Sequence, residues 1–274
     1  MPENKKLYKY LDVTGGSMML YYRNLQFTNA TCLNDPFDCH PGLIVFSNVP
    51  REKCIVWPAE LISQKEINRF TNSRDKAYIC SLSKVHDSLL MWSYYNSHKG
   101  ICIGLDMENT RKYLSNMIGQ FTIGCQEWEV QYKSIVEKPD YFNDLLDFFH
   151  YQMATKAKAW EHEQEVRLFS YAPSPMYKRL LPWQHLQKEK NKCERIKDLL
   201  TRQKKEIDTI QWQDVRVFLD IGGECFESVY LGINISEIDK NKIIRFARQC
   251  NPNIKVYTMK IDPDAFRLTE ELID

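Results

Sequence analysis

The sequence predicts an α+β fold, a central and mainly antiparallel sheet flanked by helices. Three observations carry that expectation. Segments of strand character are interleaved with helical ones, but without the strict β-α-β alternation of a doubly wound sheet. Two of the strands, Ala77–Leu82 and Gly100–Asp106, have continuous apolar centres, as strands covered on both faces do. The chain has 274 residues, 43% hydrophobic and 27% charged, which suffices for one large core. No internal repeat divides it, and residues 1–274 read as a single domain.

The elements follow in order. Leu7–Leu11 is a short strand. Gly15–Arg23 reads as a helix with Met18, Met19 and Tyr22 on its buried side, and Leu25–Thr28 alternates as a second strand. Asn29–Asp38 is a loop rich in Asn, Asp and Pro, residues that bond their own backbone and fix turns. Glu60–Thr71 reads as a helix on Leu61, Ile67 and Phe70. Asp87 is placed to cap a helix over Ser88–Tyr95. Trp128–Tyr132 suggests a strand with one wet face, and Tyr141–Trp160 is helical in character. Ser228–Ile233, Glu237–Gln249 and Ile254–Ile261 read as strand, helix and strand.

One segment stands apart. Gln184–Gln211 is charged and free of Gly and Pro, and Cys193, Ile196, Leu200, Gln203, Ile207 and Ile210 recur at three- and four-residue steps. That spacing predicts an inserted amphipathic helix with a narrow apolar seam, either packed on the domain or offered to a protein partner or a second copy. Its lysines and arginines are interspersed with acids, as on a solvated face.

The net charge of +1 provides no global field toward nucleic acid or acidic lipid, so contact with either needs a local patch. The nine cysteines are scattered and include no Cys-x-x-Cys pair, which speaks against a zinc ribbon or a thioredoxin-type site. Cys80 and Cys102 sit in apolar runs and read as buried thiols of a reducing compartment. No apolar signal core follows Met1–Lys6, and no run approaches membrane-spanning length. A cytoplasmic protein without a membrane contact is expected.

The chemistry concentrates in Trp160–Arg167 (Trp-Glu-His-Glu-Gln-Glu-Val-Arg). Read as an extended strand, it projects Glu163, Glu165 and Arg167 to one side, with Val166 and Phe169 off that face. Two carboxylates and a guanidinium side by side suit a ligand site, or else a structural ion-pair ladder in which Lys156 joins Glu163 or Glu161 and Arg167 joins Glu165. Two further clusters are pocket candidates. Asn34, Asp35 and Asp38, with His40 close behind, either line a pocket or lock a turn network. In Met91–Gly100, Trp92 reads as core, Tyr95 as a ring able to stack on a flat ligand, and His98 and Lys99 as polar groups at a pocket rim.

Taken together and in order, Leu7–Tyr10, Leu25–Phe27, Asn34–Cys39, Met91–Tyr95 with His98–Gly100, Trp160–Arg167 and Val229–Gly232 resemble a bacterial family that carries the domain-of-unknown-function label 2971. The match spans nearly the whole chain, and Gln184–Gln211 stands as an insertion in it. More distantly, the order of elements is similar to that of ADP-ribosyltransferases. Glu163-Gln164-Glu165 resembles their Glu-x-Glu, and Ser81-Leu82-Ser83 their Ser-x-Ser strand. That resemblance implies a split sheet and NAD as co-substrate, with ADP-ribose passed to a nucleic-acid or protein acceptor. It implies that Glu165 is the catalytic glutamate, holding a ribose hydroxyl and stabilising the cation that forms as the glycosidic bond breaks. Glu163 would orient or deprotonate the acceptor. Tyr8, Lys9, Tyr10, Ser81, Ser83, Tyr95 and Arg167 would hold the dinucleotide. The first strand departs from the family by offering Lys9, a point charge, where an Arg or His is usual.

Two other functions compete. Asp35, Asp38, His40, Glu163 and Glu165 would supply ligands for a metal-dependent nuclease or phosphoesterase, although no dense ligand motif is present. A non-enzymatic interaction module would dock through Gln184–Gln211. Roles in bacterial defence or in a toxin system are compatible with either enzymatic reading.

Overall fold

The computed structural model describes residues 6–95, 97–121, 126–171 and 216–273, so the segment Gln184–Gln211 lies outside the described residues. The chain runs β1 (Lys6–Leu11), α1 (Val13–Tyr22), β2 (Asn24–Asn29), α2 (Ala59–Lys76), β3 (Ala77–Ser83), α3 (Leu89–Tyr94), β4 (Ile101–Asp106), α4 (Met107–Phe121), β5 (Gln126–Glu129), β6 (Gln131–Lys133), α5 (Phe148–Ala154), β7 (Thr155–Ala157) and β8 (Glu165–Tyr171). It continues with β9 (Val217–Asp220), β10 (Phe226–Leu231), α6 (Glu237–Cys250), β11 (Lys255–Ile261) and β12 (Leu268–Ile273). This is an α+β protein whose described residues build a ten-stranded sheet, with β6 and β7 in a small sheet of their own.

The large sheet runs β12-β11-β10-β4-β1-β3, antiparallel except for β10 against β11. At β3 it splits. β8 pairs with β3 along its whole length, from Ala77↔Tyr171 to Ser83↔Glu165. The other edge of β3 is shared: β1 meets it only at Tyr8↔Ser83, and β2 only at Thr28↔Ile79 and Asn29↔Tyr78. β2 then carries β9 outward, and β8 carries β5. Among the described residues the middle of that edge has no strand partner, and the Nζ of Lys9 donates to the Ser81 carbonyl there at 2.8 Å. A buried carbonyl left unpaired would cost about 1–3 kcal/mol, so this lysine closes a gap that the ladder cannot.

One face of the sheet forms the main core. Leu7, Cys80, Leu82, Ile101, Ile103, Leu105, Val166, Leu168, Val229 and Leu231 pack there against α1, α4 and α6. Fully burying each such aliphatic side chain contributes about 1.5–3 kcal/mol. Cys80, Cys102, Cys225 and Cys250 are buried thiols, as expected for small apolar residues. Among the described residues no helix is long and apolar enough to cross a membrane.

Several expectations shift. α1 begins at Val13 because Asp12 caps it, its Oδ1 accepting from Gly15 N at 2.6 Å. It buries Val13, Gly16, Ser17, Met19 and Leu20, while Met18 and Tyr22 are only half-buried. The cap of α3 is Ser88, not Asp87, which is exposed. Trp128–Tyr132 is two strands, broken at Val130, whose N–H turns to the Glu165 carbonyl. The expected helix over Tyr141–Trp160 shrinks to seven residues. Asp140 holds the chain before it in turns through Phe142 N and Asn143, and Thr155 begins β7. Phe169 shares the face of Glu165 and Arg167, as a two-residue period requires, and packs with Ile79 and Met153.

Candidate functional site

The face of the sheet opposite the main core is divided between charge and aromatic rings. At the charged end, Glu165 and Arg167 rise from β8, Ser81 and Ser83 from β3, Lys156 from β7, and Asp38 from the loop after β2. Glu163 joins them by another route than strand alternation. It ends a 3-10 turn over Lys158–Glu163, and Gln164 takes a left-handed backbone (φ 43°) that swings the chain into β8.

Arg167 is the centre. Its Nε and Nη2 grip Glu165 at 2.9 and 3.1 Å, and its Nη1 and Nη2 grip Asp38 at 2.8 Å each. Nη1 also donates to the Met153 carbonyl at 2.7 Å. All five guanidinium protons are therefore directed at acceptors. Lys156 Nζ lies 2.5 Å from Glu163 Oε2, 3.2 Å from Glu165 Oε2 and 3.9 Å from Asp38 Oδ2, with its ammonium 4.9 Å from the Trp160 ring centre. Tyr132 accepts the backbone N–H of Glu165 through its hydroxyl at 2.8 Å. Ser83 Oγ donates to the Glu163 carbonyl at 2.8 Å.

The charge balance follows. Burial alone would raise the Glu165 carboxyl, but the Arg167 and Lys156 charges outweigh it and hold the group down at about 2, helped by hydrogen bonds from Arg167 and Ser81. Burial works to lower Lys156 and Arg167, yet the surrounding carboxylates drive both upward. For Glu163, burial wins over Lys156 and pushes the carboxyl above the usual range. Burial also pushes the Cys39 thiol up to about 12, so it is no nucleophile at neutral pH. Asp38, Glu165, Arg167 and Lys156 expose at most 4% of their side chains, against 14% for Glu163. Glu165 faces protein donors on every side, and Glu163 is the acid nearest solvent.

The aromatic end begins one strand away. Tyr8↔Ser83↔Glu165 form a single cross-strand row, so β1, β3 and β8 bring the three sequence motifs together. Tyr8 lies 4.9 Å from His86 and 5.9 Å from Tyr230, and Tyr230 stacks on Tyr257 at 4.9 Å. Tyr10 meets the buried Trp92 edge-on at 5.5 Å and Tyr95 at 5.8 Å. Trp92 Nε1 donates to the His86 carbonyl at 2.7 Å. Gly104 on β4 makes room for this layer, since a Cβ there would fall 2.2 Å from Ser228 Oγ and 3.3 Å from Tyr8 Cε1. Burial raises both the Tyr8 and Tyr10 phenols, which stay neutral.

The remaining candidates separate from this face. Lys9 shares the opposite side of β1 with Leu7 and Leu11, away from Glu165, so the two do not flank one cleft. The Asp35 Oδ1 accepts from Phe37 N at 2.9 Å, and Asn34 is exposed in the same turn. His40 turns outward and caps Gly42 N through Nδ1 at 2.9 Å. His98 is pinned by backbone bonds, its N–H to Trp92 O at 2.8 Å and its carbonyl to Asn234 N at 3.0 Å. Lys99 is exposed and Tyr95 is 38% exposed. Asp35, Asp38, His40, Glu163 and Glu165 therefore do not converge as metal ligands; the three acids that do meet face Lys156 and Arg167. Among the described residues no group of three or more His, Cys, Asp or Glu side chains is placed to hold a metal ion.

No family model, curated protein or solved structure matches this chain. Its functional reading rests on its own geometry. Lys156 and Tyr132 are central to that geometry. Lys156 is signalled only by its nearness to an acidic run, and Tyr132 by nothing local. Tyr230 and Tyr257 likewise join the aromatic layer through strand pairing between distant segments, and His86, just past β3, meets it by ring contacts with Tyr8 and Tyr230.

Proposed function

We propose that the chain is an ADP-ribosyltransferase-like enzyme acting on NAD, with its reacting centre at the boundary of the charged and aromatic ends. The single observation that supports this reading is the row Tyr8–Ser83–Glu165 on three adjacent strands, with Glu163 at its rim. In this proposal the roles of the two acids exchange relative to the motif. Glu165, saturated by Arg167 and Lys156, is a positioning residue that fixes Lys156. Glu163, with one oxygen on Lys156 and part of its side chain open, is the carboxylate that meets the ribose.

The chemistry is a substitution at the ribose C1′. The bond from C1′ to the nicotinamide nitrogen breaks, and its electron pair leaves with nicotinamide. A nucleophilic atom of a nucleic-acid or protein acceptor forms the new bond to C1′ and releases its proton to solvent. A carboxylate held beside the ribose favours the developing cation more than the neutral ground state. Tyr8 and Tyr95 offer rings to the flat ends of a dinucleotide, with Tyr10 buried behind them.

The test is release of nicotinamide from NAD by the full chain. Glu163→Gln should lower the rate by about 100-fold or more without lowering the melting temperature, the scale of losing one preorganised electrostatic group. A chelator should leave the rate unchanged. If neither NAD consumption nor NAD binding is measurable, the enzymatic reading fails and the acid cluster is a structural tie.

A further inference from the structure

The split in the sheet opens a cavity on the face away from Glu163 and Glu165. β1 and β2 diverge from the edge of β3, α1 bridges them, and β9 closes the far side. Its volume is about 220 Å³, and it opens to solvent beside the exposed Arg216. Its polar lining includes Lys9, Asp12, Thr14, Gln26 and Arg216, and Leu11, Met18, Met19 and Phe218 supply apolar wall.

The charges of this lining are unequal. Among the described residues of the lining, two cations, Lys9 and Arg216, stand against one carboxylate, Asp12. Asp12 is already engaged, since its Oδ1 accepts from Gly15 N as the cap of α1. Lys9 uses one of its three ammonium protons on the Ser81 carbonyl. Arg216 adds a planar fork suited to two oxygens of one group. The size decides the rest. A cavity of about 220 Å³ is smaller than the roughly 300–1,000 Å³ that hold drug-sized molecules, so a whole dinucleotide does not fit. A fragment with one charged end and a short apolar body does.

We propose that this cavity binds a small oxyanion-bearing molecule, a phosphomonoester or a short carboxylic acid, between Lys9 and Arg216. The site is independent of the NAD reading, because it lies on the other face and shares none of that site's acids.

The experiment titrates the full chain by calorimetry at constant ionic strength with three probes: inorganic phosphate, glycerol 3-phosphate and succinate. Saturable binding of at least one is expected, weakened tenfold or more by Arg216→Gln and abolished by Arg216→Glu. Preference for the phosphates assigns a phosphoryl ligand, and preference for succinate assigns a carboxylate. Lys9→Met should also abolish binding. Because it uncovers the Ser81 carbonyl and can unfold the sheet, the Arg216 variants carry the decision. No saturation by any probe up to roughly 10 mM, well above the millimolar range of weak specific binding, overturns the proposal. So does binding that is unchanged in both Arg216 variants.

Discussion

Two ends of one sheet face reach order by opposite means. At the charged end, Arg167 is held by five acceptors and Glu165 by Arg167, Lys156 and Ser81, leaving little freedom and little exposure. At the aromatic end, Tyr8, His86 and Tyr257 are half-buried and joined through Tyr230 by ring contacts. Removing a ring from the second end loses area and contacts. Removing a charge from the first leaves its partners buried and unpaired, and this asymmetry makes charge the stronger lock. Arg167→Ala tests it most severely. It strands Asp38 and Glu165, and a loss of about 3–5 kcal/mol in urea unfolding is expected. Loss below about 1 kcal/mol would mean that water enters the cluster and that it is not closed.

The same contrast has a pH signature. The Glu165 carboxyl is depressed in the folded chain, from 4.5 to about 2. A depressed acid contributes stability that is fully present above its unfolded value and lost as pH falls toward its folded value. Unfolding free energy should therefore drop between about pH 4.5 and 2, by about 3 kcal/mol from this group. Glu163 acts in the opposite sense, because burial raises it and its contribution fades as pH climbs above 4.5. Glu165→Gln should flatten the acid limb. An acid limb identical in Glu165→Gln and the parent chain would assign that slope to other carboxylates.

The two ends also differed in how far they could be read from the chain alone. Buried strands were legible because apolar runs such as Ile101–Leu105 need only local pattern. The acidic run was legible as a cluster, but its geometry was not. Glu163 enters through the left-handed Gln164, and no alternation rule anticipates that turn. α4 escaped notice although Asp106 caps it through Glu108 N and Asn109 N. β9 and β12 are strands by virtue of their neighbours: β9 has four residues, and β12 turns Glu270 and Glu271 outward. The aromatic layer was half visible. Tyr8 and Tyr10 stand out in β1, while Tyr230 and Tyr257 reach them only through the β4–β10–β11 pairing.

A third test falls where β1 parts from β2. Lys9 supplies the donor that the missing ladder withholds from Ser81, so Lys9→Met should cost about 1–3 kcal/mol, the range for an unpaired buried carbonyl. Hydrogen exchange should localise the effect to β3, with the amides of Leu82 and Ser83 losing protection and those of β11 keeping theirs. Equal losses across the sheet would mean that Lys9 supports the fold as a whole and not the split.

The smallest expected effect lies at the border, where a ring meets the charge cluster. Trp160 stands over the Lys156 ammonium at 4.9 Å and is itself half-buried. A cation over an indole contributes about 0.5–1 kcal/mol when exposed and about 2 kcal/mol when dry. Trp160→Leu keeps much of the apolar cover and removes the quadrupole, so it separates the two regimes. Burial places Lys156 in the dry one, which predicts a loss near the upper figure at pH 7. That loss should not change between low and high salt, because a desolvated contact is poorly screened. A loss that salt erases would put water between the ring and the ammonium, and the border would then belong to the open aromatic end instead of the closed charged one.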